Sequence, residues 1–246
     1  MLWTLLRLEM LKARRSLALL MMLACPLVVV LLNTGLLLRQ AGPDGLSARA
    51  WEGYWMGSQA IWCYFMLPLY LALCTALVNG VEHRQHGWRL MLTLPVGVRR
   101  LYLAKLLLAL GMTAVAHLCL LLLASLVAIL LNGTAAAAQA GPMLAMGRSL
   151  LAALAASLPV LVLQHTLSWA SQHIVLPLAT GVCATMGIIQ LGSSAYWAWF
   201  PWSYPLMAAN GGDPAARTMA LLLGLVVGAL LLALGGWWAG YRRQPA

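Results

Sequence analysis

Apolar residues fall into long runs separated by short polar connections. Six runs qualify as membrane helices, since about 20 apolar residues cross roughly 30 Å of hydrocarbon. They are Leu17 to Leu38, about Ile61 to Val81, Leu106 to Leu131, Ser149 to Trp169, Ile174 to Leu191, and Thr218 to Gly240. The third is long enough to tilt. The fourth is interrupted by Pro159, and the fifth is the shortest and carries Pro177. Before the first run, Leu2, Leu6, Met10, Ala13 and Leu17 recur at helical spacing, with Arg7 and Arg14 beside them. That pattern predicts an interfacial helix over residues 1–16 lying on one leaflet. A plain extension of the first span is the alternative. The predicted fold is all-α: a polytopic membrane protein of six spans, forming a single domain over 1–246.

Composition supports this reading. The chain of 246 residues is 63% hydrophobic and only 8% charged. Soluble domains carry about 25% charged residues, so this chain lacks the charge to cover a water-facing surface. A formal net charge of +10 would point to nucleic acid in a soluble protein. Here the cations cluster between apolar runs, which makes them topology signals and excludes a nucleic-acid partner.

Counting Lys and Arg in the connections sets the orientation. Arg7, Lys12, Arg14 and Arg15, then Arg84, Arg89, Arg99, Arg100 and Lys105, then Arg242 and Arg243 share one side. Only Arg39, Arg49, Arg148 and Arg217 occupy the other. The richer side is the cytoplasm, so both termini are expected there. The first run is longer than a signal-peptide core of 7 to 15 residues and reads as a retained span.

Several chemistries lack their residues. The chain has no GxxxxGK[ST], HExxH, HxxEH or GxSxG, and so none of the phosphate-loop, zinc-protease or serine-nucleophile signatures. Ser193 and Ser194 have no paired base nearby. The five acidic residues, Glu9, Asp44, Glu52, Glu82 and Asp213, all avoid the middle of a span. Ion-driven transporters place ionisable groups there, so that class is disfavoured. His117 and His165 are the most deeply placed ionisable groups and read as neutral histidines bonded between helices, with Gln164 offered as a partner for His165. Cys25, Cys63, Cys74, Cys119 and Cys183 read as small buried hydrophobes, without CxxC spacing. Of three GxxxG matches, Gly224 to Gly228 and Gly236 to Gly240 lie in the last run, where they would permit close helix packing.

Two connections carry candidate function. Trp197, Trp199, Trp202 and Tyr204 crowd the segment before the last run. They form either an interfacial aromatic belt or an aromatic lid at a substrate exit. Trp51, Tyr54, Trp55 and Trp62 are placed to contribute from the first outer connection. The second candidate is the polar island Asn79 to Lys105, "NGVEHRQHGWRLMLTLPVGVRRLYLAK". Its residues permit a short helix or two, weakened at Gly87 and broken at Pro95. It is either a cationic anchor against anionic lipid or a rigid lever whose Trp88, Leu90, Met91 and Leu92 a partner buries.

The order Glu82, Gly87, "LMLTLP" (Leu90 to Pro95), Arg99, Arg100 and "LAK" (Leu103 to Lys105) resembles the membrane subunit of ABC-2-type exporters. "LLRLEMLKARRS" (Leu5 to Ser16) is similar to their connecting helix, and "FPWSYP" (Phe200 to Pro205) fits the segment before their last span. Trp88 departs from the small or hydroxylated residue that more often follows the glycine. The resemblance implies a bacterial cytoplasmic-membrane permease with a coupling segment over 82–100. Glu82, His83, Arg84, His86, Gly87, Trp88, Arg89, Leu90, Leu92 and Pro95 would dock on an ABC ATPase. It also implies a second permease subunit, and ATP with Mg bound by the ATPase rather than by this chain. Compact members resemble bacteriocin and lantibiotic immunity permeases or drug exporters, which implies export of an amphipathic substrate (a peptide antibiotic, a drug or a lipid-like molecule). The alternative is a non-transporting membrane protein, either an assembly or sensor partner or an intramembrane enzyme.

Overall fold

A computed structural model of the chain describes residues 2–14, 16–42, 45–84, 97–132, 138–171, 173–192, 194–209 and 212–241, with the side chains of 81–84 excepted. The described residues are overwhelmingly helical, with no strand among them. The helices are α1 (Leu2–Ala13), α2 (Leu17–Leu38), α3 (Ala48–Ile61), α4 (Leu67–Arg84), α5 (Val98–Asn132), α6 (Ala140–Ala156), α7 (Leu158–Ala170), α8 (Val175–Leu191), α9 (Tyr204–Ala209) and α10 (Pro214–Tyr241).

Four helical stretches are long and apolar enough to cross a membrane: α2, the α3–α4 unit, α5 and α10. The α6–α7 pair makes a fifth if it is taken as one bent span, and α8 is a shorter apolar helix of 17 residues. This is an all-α, multi-pass membrane architecture. Helix α10 shows why. It buries Ala220, Gly224, Gly228, Gly235 and Ala239 and turns Leu222, Leu225, Val226, Leu230 and Leu234 outward. Small residues inside and large apolar ones outside are the arrangement lipid favours, because helices then approach closely while leucines meet acyl chains.

The α3–α4 unit is the centre of the bundle. Of its most apolar window 67% is buried, against 28% for α2, 33% for α5 and 22% for α10. Helices α2, α5, α7 and α8 all pack against α4. Between α3 and α4, residues Trp62–Met66 form a π-helical turn in which the Leu67 N–H reaches back to the Trp62 carbonyl. Pro68 accounts for the widening, since it has no N–H to continue the α-helical ladder. The central helix begins at Ala48, well before the expected Ile61. Its first half is amphipathic: Trp51, Tyr54, Trp55 and Ser58 face inward. Asn33 of α2 fixes that half by donating to the Tyr54 carbonyl and to Ser58 Oγ, both at 2.6 Å.

The fourth apolar run divides into α6 and α7, bent by 46°. Pro159 again explains the break, and Ser157 Oγ donates to the Leu154 carbonyl at 2.7 Å where the ladder is interrupted. Gly224 and Gly228 of α10 lie against this break. A Cβ on Gly224 would fall 2.6 Å from Ala156 Cα, and one on Gly228 would fall 2.9 Å from Leu158 Cβ. Gly236 has nothing within 4 Å, so of the two glycine pairs in α10 the first makes the close approach through both its members.

Candidate functional site

The two ends of the bundle are chemically different. At one end, α1, α4, α5 and α7 meet through polar side chains. Glu9 of α1 receives Lys105 Nζ of α5 at 2.5 Å and Lys12 Nζ at 2.7 Å. Lys105 has no exposed surface and also donates to the Val78 carbonyl of α4 at 3.1 Å. A buried ammonium needs a carboxylate and further acceptors to offset its lost hydration, and this one has both. Lys105, expected as an interfacial charge marking the start of the third span, is thus the buried tie between α1, α4 and α5.

Beside this tie, Asn79 of α4 donates to Ser168 Oγ of α7 at 2.6 Å and faces His165 Nδ1 at 3.2 Å. His165 Nε2 lies 3.2 Å from the Tyr102 carbonyl of α5. A carbonyl only accepts, so the network assigns the proton to Nε2 and leaves Nδ1 to accept from Asn79. The Tyr102 hydroxyl is bonded to Thr166 at 2.8 Å, and its ring packs 4.5 Å from that of His165. His117, higher in α5, accepts from Trp62 Nε1 at 3.3 Å and donates from Nδ1 to the Thr113 carbonyl at 2.8 Å. Both histidines therefore serve as neutral links between helices. Gln164 plays no part in this. It is buried, and neither of its amide atoms has a partner among the described residues. Replacing Asn79 with Leu should cost about 1 kcal/mol, the usual scale for a hydrogen bond between membrane helices. Unfolding of the purified protein in mixed micelles would measure it, and no loss of stability would show the α4–α7 link to be idle.

These bonds surround the two ends of the polar island. Glu82, His83 and Arg84 continue α4 by their backbone, and α5 resumes at Val98. His86, Gly87, Trp88, Arg89, Leu90, Leu92 and Pro95 lie outside the described residues.

The opposite end holds a cleft of about 900 Å³ between α3, the start of α6, and α9. Trp51, Glu52, Trp55, Met56, Gln59 and Tyr64 form one wall; Gln139, Met146 and Ser149 form another, closed by Leu206 and Met207. The walls are fastened together. Trp55 Nε1 donates to Gln139 Oε1 at 2.9 Å, and Gln59 Nε2 donates to the Ala209 carbonyl at 2.6 Å.

The four aromatic residues before the last run are placed separately. Trp199 is exposed, Trp197 and Trp202 are half-buried, and Tyr204 is buried with its hydroxyl donating to the Ala198 carbonyl at 2.8 Å. Trp197 meets Tyr204 edge-on at 6.3 Å, while Trp202 stacks on Phe200 at 5.5 Å. None of the four lines the cleft. The aromatic lining comes from Trp51, Trp55 and Tyr64. Trp51, Trp55 and Ser58, with Tyr54, recur at helical spacing, which was the available sign that a helix begins there.

A family model described as "ABC-2 family transporter protein" matches residues 5–188. The chain belongs to the ABC-2 transporter family. The matched span runs from α1 into α8 and includes both the polar node and most of the cleft; the Phe200 to Pro205 segment and α10 lie beyond it. No curated protein matches the chain. Family membership makes it a membrane permease of an ABC transporter, the transmembrane component without the ATPase, and implies association with an ABC ATPase.

Proposed function

We propose that this permease is the membrane half of an ATP-driven exporter of amphipathic molecules. Two permease subunits would pair with two ATPase subunits in a bacterial cytoplasmic membrane, with both termini inside. Counting the α6–α7 pair and α8 as spans yields six and returns the termini to one side. Helix α8, at 1.5 Å per residue, reaches roughly 26 Å, close to the hydrocarbon thickness. On the orientation that the charge asymmetry supports, the Glu9–Lys105 node would lie at the cytoplasmic face and the cleft at the outer face.

The observation that carries the reading is the position of the node. Segment 85–96 joins α4 to α5, and the nearby ends of those two helices are tied to each other, to α1 and to α7 by buried polar bonds. Closure of the ATPases around nucleotide would push on this segment. Rigidly linked helices would then move together. Helix α4 would transmit the movement through the π turn to α3, which walls the cleft. ATP and Mg would stay in the partner; this chain supplies docking, transmission and pathway.

The test replaces residues 83–94 with a Gly/Ser linker and assays the reconstituted complex. Loss of transport with residual, unstimulated ATP hydrolysis is expected, and Glu82 or Trp88 substitutions should uncouple in the same direction. Unchanged stimulation and transport would remove the segment from the mechanism. Failure of an ABC ATPase to co-purify would favour the non-transporting alternative.

A further inference from the structure

The outer cleft is unusual in its charge. The chain carries a formal +10, yet among the described residues no Lys or Arg lines this cleft and Glu52 is its one charged residue. Glu52 is exposed and makes no ion pair among the described residues. It stands on the same face of α3 as Trp55, Met56 and Gln59, at helical spacings of three, four and seven. Two donors of the cleft, Trp55 Nε1 and Gln59 Nε2, are already engaged in fastening the walls. What remains is a carboxylate beside indole rings, with thioether and aliphatic surface beyond. A carboxylate and aromatic rings both attract a cation, and about 900 Å³ suits a drug-sized ligand.

We infer that this cleft binds an amphiphile bearing an ammonium group, with the cation at Glu52 and Trp55 and the chain over Met56, Met146, Leu206 and Met207. The inference rests on the exporter reading for its place in transport, while binding itself is measurable without an ATPase.

The test uses the full-length protein in phosphatidylcholine nanodiscs, with protein-free discs as background. Saturable binding of dodecyltrimethylammonium is compared with that of dodecanol. Glu52→Gln should weaken the cation about three- to fivefold, the scale of losing one exposed charge contact, and leave dodecanol unchanged. Ala60→Trp, which fills the cleft, should abolish both. In the wild type, added salt should weaken the cation and spare the alcohol, because exposed charge pairs are screened. A cation affinity indifferent to salt overturns the inference whatever the variants do. So does full affinity in Glu52→Gln, or a concentration-dependent dimer without saturable probe binding, which assigns the cleft to a second copy. Co-purification of the ATPase is scored on separate samples. Loss of probe binding with the ATPase retained removes the ligand and leaves the exporter; binding without any ATPase does the reverse.

Discussion

Lys105→Met is expected to destabilise the permease by roughly 3–5 kcal/mol, the cost of stranding one partner of a buried ion pair. Lys105 is fully buried, and its ammonium lies 2.5 Å from Glu9. Methionine fills similar volume, so the loss is electrostatic rather than a cavity. Glu9 keeps Lys12, which is partly exposed, and this pulls the effect toward the lower end. The paired change Glu9→Leu with Lys105→Met removes both charges together and should recover most of the stability, since buried pairs replaced by apolar residues are often neutral. A double-mutant cycle on unfolding in mixed micelles measures the coupling. Additive single effects would mean that the pair does not hold α1 to α5. Proteolysis is a second readout. In the single variant α1 has lost its anchor, so trypsin should reach Arg7 and Arg14 faster than in the wild type or the double variant.

The second large effect concerns α10. Gly224→Val should cost roughly 2–3 kcal/mol, within the usual range for overpacking. The added Cβ would meet backbone, 2.6 Å from Ala156 Cα, at the break between α6 and α7. Backbone at a proline-determined bend has little room to move aside, so α10 must separate from the end of α6. Gly236→Ala is the internal control. Its Cβ meets nothing within 4 Å, and an alanine in an open helical position is favoured over glycine by about 0.5–1 kcal/mol. Opposite signs for the two changes, read from thermal unfolding in detergent, are the expected result. Equal effects would show that close approach of α10 to the bend does not matter for stability.

The node and the cleft differ in how far they could be read in advance. The connection that carries the polar island was visible because charge in an apolar chain is conspicuous. The cleft was not, because its wall is α3, a stretch that fails a hydropathy reading. Glu52, Gly53, Gly57 and Gln59 lower its mean hydropathy, while Trp51, Tyr54, Trp55 and Ser58 still mark a helical face. The denser aromatic cluster from Trp197 to Tyr204 is more conspicuous in the sequence, yet Trp197 packs on Tyr204 and Trp202 on Phe200, which itself lies against Gly187. Aromatic density in sequence measures affinity for an interface; it does not say which rings will face a cavity.

By itself the sequence determined the class of molecule, the bounds of α2, the interruption at Pro159, and the absence of a nucleotide-loop motif. Those follow from local rules: the hydropathy needed to enter lipid, the missing N–H of proline, the residue types a motif requires. Only the tertiary structure decided the partners of polar side chains. Glu9 and Lys105 are 96 residues apart, and Asn79 and His165 are separated by 86. No periodicity joins them. A buried polar group can be satisfied only by a neighbour that the packing brings near, and that neighbour is set by how the helices cross.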